Sequence, residues 1–490
     1  MIEDAEKRAA DRFARSYDIC IIGTGPAGIT LARRLGARGL SVGLFEAGDL
    51  ALSGDSQDLY KGTSVSQPTY YPLDGCRLRF FGGTSNHWGG WTRPLDAYDF
   101  EPKPDNPLGG WPIAKSDLDP YVAETDSILN LPVDRPPPDF FPTPEPDLTP
   151  RFFRFSRPTT RFGEKYRDEL QKSATIEAFL NANLVDIRLD DDRRAVTAAV
   201  FRSYKRDDPF TVKARVFALC LGGMENPRAL LNATSQLPAG IGNDHDLVGR
   251  YFLEHPHAPV GRIVVRQPLT WMHVYSPTPD FMKQHGTLNF GLRIGDFDQW
   301  NAPDFTGALK PQPPCTTGFD TLLAAEMAGK PAACPALVGD AFVACEQKLN
   351  PDNRVRLTEG RDRFGLRRIE LDWKVSDADL HTLRTAAVEV GRRMAERDVG
   401  RMKVLDWLLK GDMPTPDQLY GGNHHMGTTR MSADPKTGVV DRDAKVHTLD
   451  NLYIGGSSVF ASSGHANPTY SIVQLALRLG DHLGDRLKKS

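Results

Sequence analysis

Three observations predict an α/β fold built from two interwoven domains. A short apolar run, Tyr17 to Ile22, meets a glycine-rich turn and then helical apolar spacing from Ile29 to Leu35. A second apolar run, Ser41 to Phe45, ends on the carboxylate of Glu46. A third, Arg215 to Leu221, enters the pair Gly222-Gly223 and a new helix start at Met224 to Arg228. Apolar runs that alternate with helices read as buried parallel strands, so these segments predict a Rossmann-like α/β domain. Residues 250–410 lack that alternation. They show amphipathic strands and one clear helix, Asp377 to Glu396, which predicts an α+β domain on an antiparallel sheet. The expected division is 1–100, 160–250 and 411–490 for the first domain, and 101–159 with 251–410 for the second.

The first turn reads Gly23-Thr24-Gly25-Pro26-Ala27-Gly28. In a strand–turn–helix unit Gly23 allows the tight turn, Gly25 lets backbone approach a pyrophosphate, and Gly28 lets helix and strand pack closely. The phosphates would sit at the positive end of the helix dipole. Glu46, at the end of the next strand, is placed to accept hydrogen bonds from ribose hydroxyls, which favours an unphosphorylated ribose. A dinucleotide is therefore expected. Further along, Ala174 to Leu180 and Ala195 to Phe201 look like paired strands. Pro-rich stretches at Glu101 to Pro107 and Pro132 to Pro150 are loop-like, and the second could form a surface excursion or lid.

Bulk composition excludes several classes. At 490 residues the chain exceeds one ordinary core. Lys+Arg 60 against Asp+Glu 63 gives a net charge of −3, with no basic excess for nucleic acid and no polybasic run for a membrane surface. No apolar stretch approaches the roughly 18 residues of a spanning helix, and the N-terminus lacks the apolar region of a secretory signal. The 6 cysteines are scattered without CxxC or CxxCH, so neither haem attachment nor a zinc cluster is indicated. Reduced thiols in a cytoplasmic protein are the simplest expectation.

The most informative C-terminal segment is Gly422-Asn423-His424-His425-Met426-Gly427-Thr428-Thr429-Arg430-Met431, followed by Gly455 to Phe460 and by His465-Ala466-Asn467-Pro468-Thr469. A neutral imidazole at His424 and a polar partner at Asn467 could meet over one substrate hydroxyl. Adjacent side chains cannot both face one point on a regular backbone, so His424 and His425 compete for that role. His465 either lines the pocket or is an exposed loop histidine. His255 and His257 lack the further ligands of a metal site and read as structural residues near the cofactor or the domain seam, so no metal is expected. Trp88 and Trp91 read as packing residues, with stacking on a sugar face as the functional alternative.

With these segments quoted, the chain resembles the glucose–methanol–choline (GMC) flavin oxidoreductases. The likeness rests on the N-terminal turn with Glu46, on Gly82-Gly83-Thr84-Ser85-Asn86-His87-Trp88-Gly89-Gly90, on Leu221 to Leu231, and on the C-terminal segments. Val248 to Pro256, Glu346-Gln347 and Asn350 to Val355 resemble the sugar- and polyol-oxidising branch, which includes pyranose oxidase-like enzymes, glycoside 3-oxidases and sugar dehydrogenases.

The resemblance implies FAD, with Gly23, Gly25, Gly28, Glu46, Gly83, Thr84, Asn86, His87, Trp88, Leu184, Ser458, Asn467 and Thr469 holding it in the first domain. It implies His424 as the base and Asn467 as its companion at the substrate oxygen. Pro468 and Thr469 would begin a helix whose N-terminus faces the flavin. His87 stands where some relatives bond the flavin covalently and others do not. The expected reaction oxidises a CH–OH group of a sugar, glycoside or polyol to a ketone or lactone by hydride transfer to flavin N5. Oxygen or a separate electron carrier would reoxidise the flavin. Two other readings are a dehydrogenase subunit serving such a carrier and a lyase on the same frame.

Overall fold

A computed structural model of the chain describes residues 1–489 except 105, 134, 207, 297–298, 300–305 and 331–333. The apolar run at the N-terminus forms the strand Ser16–Ile22, and alternation sets its two faces. Ile19 and Ile21 enter the core shared with the helices Pro26–Ala37 and Thr469–Lys489, while Cys20 and Ile22 enter the core on the other side. Both faces are covered, which is why the run reads as continuously apolar.

The sheet around this strand is mainly parallel. Ile2–Asp4 pairs with Ile176–Leu180, which pairs with Val42–Phe45, which pairs with Ser16–Ile22. Ser16–Ile22 then pairs in parallel with Phe210–Leu219. That long strand divides its outer edge. Residues 217–219 pair in parallel with Leu452–Ile454, and residues 210–212 pair antiparallel with Val196–Arg202. The C-terminal segment is thereby woven into the same sheet as the N-terminal one.

A second sheet is antiparallel, in the order Gly400–Val404, Pro256–Val265, Val338–Cys345, Phe290–Gly295, His273–Pro277 and Leu148–Pro150. The helix Asp377–Glu396 packs on it through Leu383, Ala386, Ala387, Val390 and Met394. Its start is fixed by a reciprocal cap, in which Asp379 N donates to Ser376 Oγ and Ser376 N donates to Asp379 Oδ2. Tyr420–Gly421 pairs with the start of Pro256–Val265 and so delivers the histidine segment to this sheet.

Two expectations need correcting and a third needs refining. Ile176–Leu180 and Val196–Arg202 are not partners; the first lies between parallel neighbours, and the second pairs antiparallel with Asn183–Leu189 and Phe210–Leu219. Their similar composition says that both are buried, not that they adjoin. The Pro-rich stretch does run largely along the surface, as expected, but it is anchored there. Phe141 is buried, Tyr275 donates its hydroxyl hydrogen bond to Asp139, and Leu148–Pro150 forms an edge strand. The thiols are not all reduced: Cys315 and Cys334 form a disulfide, while Cys20, Cys76, Cys220 and Cys345 are free and buried. Spacing alone carries no signal of that pairing because tertiary structure closes the loop. Among the described residues no helix is long and apolar enough to cross a membrane.

Candidate active site

A cavity of about 600 Å³ lies at the carboxyl ends of neighbouring parallel strands and reaches the antiparallel sheet. Gly23 follows Ser16–Ile22, Glu46 follows Val42–Phe45, Leu221 and Gly222 follow Phe210–Leu219, and Gly456 follows Leu452–Ile454; all line it. Open α/β sheets bind ligands in this position, and the volume falls within the roughly 300–1,000 Å³ of small-molecule and cofactor sites.

The residues present fit the dinucleotide that the sequence implies. A Cβ on Gly25 would meet nothing within 4 Å, so the backbone opens onto free space at the start of the helix Pro26–Ala37. Gly28 is different. Its Cβ would stand 1.9 Å from the Gly23 carbonyl oxygen, so helix and turn touch there. Gly82 and Gly83 both take positive φ, and the turn Gly83–Asn86 lies against Gly25, with a Gly83 Cβ 3.3 Å from Gly25 Cα. Thr84, His87 and Trp88 from this turn line the cavity. Asn86 faces away from it and donates to the carbonyls of Phe81 and Gly83 at 3.0 and 2.9 Å, so it shapes the turn.

Glu46 lines the cavity with its carboxylate already engaged. It accepts from Thr24 N at 3.2 Å, from the Thr24 hydroxyl, and from Gly48 N at 2.9 Å. Leu184 lies outside the main cavity, in a small adjoining one that shares Ala47, Arg79 and Leu221 with it. Ser458 is buried beside the wall, where its Oγ accepts from Asn226 Nδ2 at 2.8 Å and from Thr429 Oγ1 at 2.7 Å. Thr469 lines the cavity at the N-terminus of the helix Thr469–Lys489, with Asn467 and Pro468 immediately before it.

His424 and Asn467 do meet. Asn467 Nδ2 stands 3.1 Å from His424 Nε2, and both residues face the cavity. Among the described residues, Asn467 Oδ1 is buried without a partner, as is His257 Nε2 on the same wall. Unpaired buried polar atoms are costly, and at a cavity wall they mark where a ligand makes the missing bonds. Asn423, in the left-handed region at φ 59°, breaks the regular backbone just before the two histidines. His424 then turns to Asn467, while His425 packs with ring centroids 6.0 Å from both Tyr70 and Phe252. Burial first, then the neighbouring His255 and Arg293, hold the His424 pKa well below the ordinary value. The ring is neutral at physiological pH, as a base must be before it takes a proton.

Several participants were missed or misplaced by sequence reasoning. His257 contributes to the wall, and His255 Nδ1 sits 2.8 Å from His424 Nδ1. Glu254, fully buried, accepts from the backbone N–H groups of His255, Gly422 and His424 at 2.9, 2.9 and 2.8 Å, and from the Tyr70 hydroxyl. Only the sequence Glu254-His255-Pro256-His257 hinted at this cluster, because its other members lie far off in the chain. His465 is neither a pocket residue nor exposed. It is buried, with Nε2 2.7 Å from Ser276 Oγ and 3.3 Å from Arg93 Nη1. Trp88 donates to the Thr160 carbonyl at 2.8 Å, and Trp91 stacks with Phe155 under the Arg293 guanidinium; both tryptophans also line the cavity.

Comparison with known proteins shows similarity in sequence and in fold. The family model described as GMC oxidoreductase matches residues 350–476. The chain is 26% identical to 6'''-hydroxyparomomycin C oxidase of Streptomyces lividus over 539 aligned positions, covering 96% of this chain and 92% of that protein. It is also 26% identical to the fructose dehydrogenase large subunit of Gluconobacter japonicus, over 65% of this chain and 56% of that one. The crystal structure of pyridoxine 4-oxidase from Mesorbium loti superimposes with a TM-score of 0.57 at 18% identity, covering 95% of this chain and 99% of that chain; this similarity speaks to the fold. The chain thus matches the GMC oxidoreductases over its C-terminal part and is similar along nearly its whole length to an oxidase, which supports an oxidoreductase acting on CH–OH donors.

Proposed function

We propose that the chain oxidises a CH–OH group of a sugar, glycoside or polyol, with His424 as general base and Asn467 as the donor that fixes the substrate oxygen. The observation that carries this reading is the His424–Asn467 contact at 3.1 Å in the cavity that the glycine-rich cradle also lines. FAD, when bound, supplies the hydride acceptor. Gly23, Gly25 and Glu46 would hold its dinucleotide part, and Thr84, His87, Trp88 and Thr469 would border the rest. His424 takes the hydroxyl proton at Nε2 while Asn467 Nδ2 donates to the same oxygen. Holding that oxygen between two groups orients one C–H bond for transfer, an advantage of position rather than of new chemistry.

The unpartnered atoms of Asn467 and His257, and the aromatic face of Trp91, suit a substrate that is polyhydroxylated yet has an apolar ring face. The two relatives named above are an oxidase named for hydroxyparomomycin C and a dehydrogenase subunit named for fructose. Their names support a carbohydrate substrate. Oxygen or a separate carrier would take up the electrons, and comparing oxygen with a dye acceptor after a single anaerobic reduction separates the two. His87 lines the cavity at the position where some family members bond the flavin covalently and others do not. FAD is expected to be released by acid precipitation, and colour left in the pellet would assign the bond to His87.

The test is anaerobic titration of the purified flavoprotein with a panel of sugars, glycosides and polyols. Bleaching by at least one of them, with a new carbonyl located in the product, is expected. A flavin that no alcohol bleaches would reject the reading.

A further inference from the structure

The arrangement behind His424 says which of its nitrogens carries the proton. We infer that His255, anchored by the backbone carbonyl of Ser463, fixes the tautomer of His424 and leaves its Nε2 bare toward the cavity. The inference rests on the reading of His424 as the base.

The order of donors follows from one fixed point. A carbonyl oxygen only accepts, and His255 Nε2 stands 3.1 Å from the Ser463 oxygen. His255 therefore carries its proton on Nε2. Burial pushes its pKa down to about 4, so at neutral pH the ring holds one proton only. Its Nδ1 is then a bare acceptor, 2.8 Å from His424 Nδ1. Two bare nitrogens at that distance would repel, so His424 donates from Nδ1. A neutral His424 with a proton on Nδ1 has its lone pair on Nε2, which accepts from Asn467 Nδ2 at 3.1 Å. Every group in the chain Ser463–His255–His424–Asn467 then has a matching partner. Reversing the direction would aim the His255 lone pair at the Ser463 oxygen.

The backbone keeps the two rings in register. Glu254 accepts from His255 N and His424 N through its two carboxylate oxygens, and from Gly422 N, so one buried side chain spans both segments that carry the rings. Gln347 Oε1 in turn accepts from Glu254 N at 3.1 Å and from Trp373 Nε1 at 2.9 Å, which ties this clamp to the core. His255 and Glu254 are thus positioning residues that act through His424. When His424 takes the substrate proton at Nε2, its Nδ1–H bond to His255 becomes charge-assisted and strengthens. No second proton has to move.

The experiment reads the tautomer directly. In the FAD-loaded protein labelled with ¹⁵N-histidine, the His424 resonances, assigned through their loss in His424→Ala, are expected to show a protonated Nδ1 and a bare Nε2. A protonated Nε2 would overturn the inference. His255→Leu offers His424 no acceptor, while His255→Asn can place an amide oxygen near the former Nδ1. The flavin-reduction rate is expected to fall roughly 10²-fold in the leucine variant, the lower end for loss of general-base function. Substrate affinity should stay within about 3-fold, and the asparagine variant should recover most of the rate. Equal losses in both variants, or none in the leucine variant, would also overturn it. If the leucine variant fails to fold, the wild-type spectrum still decides. If no alcohol reduces the wild-type flavin, the proposed function fails, and the ring-nitrogen spectrum judges the tautomer separately.

Discussion

The glycine-rich cradle and the histidine wall line the same cavity, yet they are built by opposite means. The cradle is backbone: Gly23, Gly25 and Gly28 come from one short turn between a strand and a helix, and its tolerances are set by missing Cβ atoms. The wall is side chain: His424, His257 and Asn467 line it, with His255 and Glu254 behind them. They come from two neighbouring strand ends of one antiparallel sheet and from a helix start. A backbone site depends on where carbon is absent. A side-chain site depends on where protons and lone pairs point, so it responds to pH and to small shifts of a ring.

Four changes probe that contrast, taken from the largest expected effect to the smallest. Gly28→Ala puts a Cβ 1.9 Å from the Gly23 oxygen, a backbone atom that cannot yield cheaply. A destabilisation of about 4 kcal/mol or more is expected, at the exceptional end for point substitutions, with little flavin in whatever folds. Chemical denaturation and flavin content check it, and normal values for both would break the account of the turn.

Acid should act on the wall and spare the cradle, which has no titrating group in its turn. His255 and His425 are held down to about 4 and about 3 by burial. Their folded pKa values lie below the unfolded value of 6.5, so the unfolded chain binds more protons below that pH. Stability is complete above pH 6.5 and is lost as pH falls toward 4, by about 3 kcal/mol for His255 alone. Glu254 opposes this with a pKa raised to about 7 by burial, so its contribution is present below pH 4.5 and is lost as pH rises through 7. Asp99 and Asp379, raised to about 6 by burial, act in the same sense as Glu254. The buried rings of His255, His257, His273, His424, His425 and His465, all lowered, outweigh these carboxyls and leave the acid limb dominant. Melting temperatures across pH 4 to 7 should rise with pH, and a flat profile would show the rings are not buried neutral.

Gly422→Ala places a Cβ 2.8 Å from His424 Nδ1 and 2.9 Å from His257 Cε1. The displaced ring should slow flavin reduction by roughly 10²-fold, the scale of a 1 Å misplacement, with flavin still bound. Rapid-mixing kinetics on flavin-loaded protein would show it. Gly25→Ala is the mildest. Its φ of −69° suits any residue, and its Cβ meets no protein atom. The melting temperature of the flavin-free protein should hold within about 0.5 kcal/mol of stability, as for a neutral surface change. Weaker retention of FAD is expected, and unchanged retention would remove Gly25 from the cradle.

The same contrast explains what could be read from the chain alone. The strand Ser16–Ile22, the helix Pro26–Ala37 and the strand Val42–Phe45 follow from local periodicity and punctuation, because each glycine works within its own turn. The helix Asp377–Glu396 was legible for the same reason, through its apolar spacing. Pairing was not. Ile176–Leu180 and Val196–Arg202 have similar sequences and different neighbours, since register is a property of the sheet. In the wall, His424 and Asn467 were found by resemblance to a family motif. Glu254 escaped, and His255 and His257 were placed only near the cofactor or domain seam, because their roles exist only once Pro256–Val265 and Tyr420–Gly421 pair. His465 was misread because loop-like composition does not reveal that Ser276 and Arg93 close over it.

The most direct measurement compares wild type with His424→Ala, both loaded with FAD, in anaerobic single-turnover reduction by whichever sugar bleaches the wild type fastest. The account predicts unchanged flavin content and a reduction rate lower by roughly 10² to 10⁴-fold, the range for removal of a general base. An equal rate in the two proteins would contradict it.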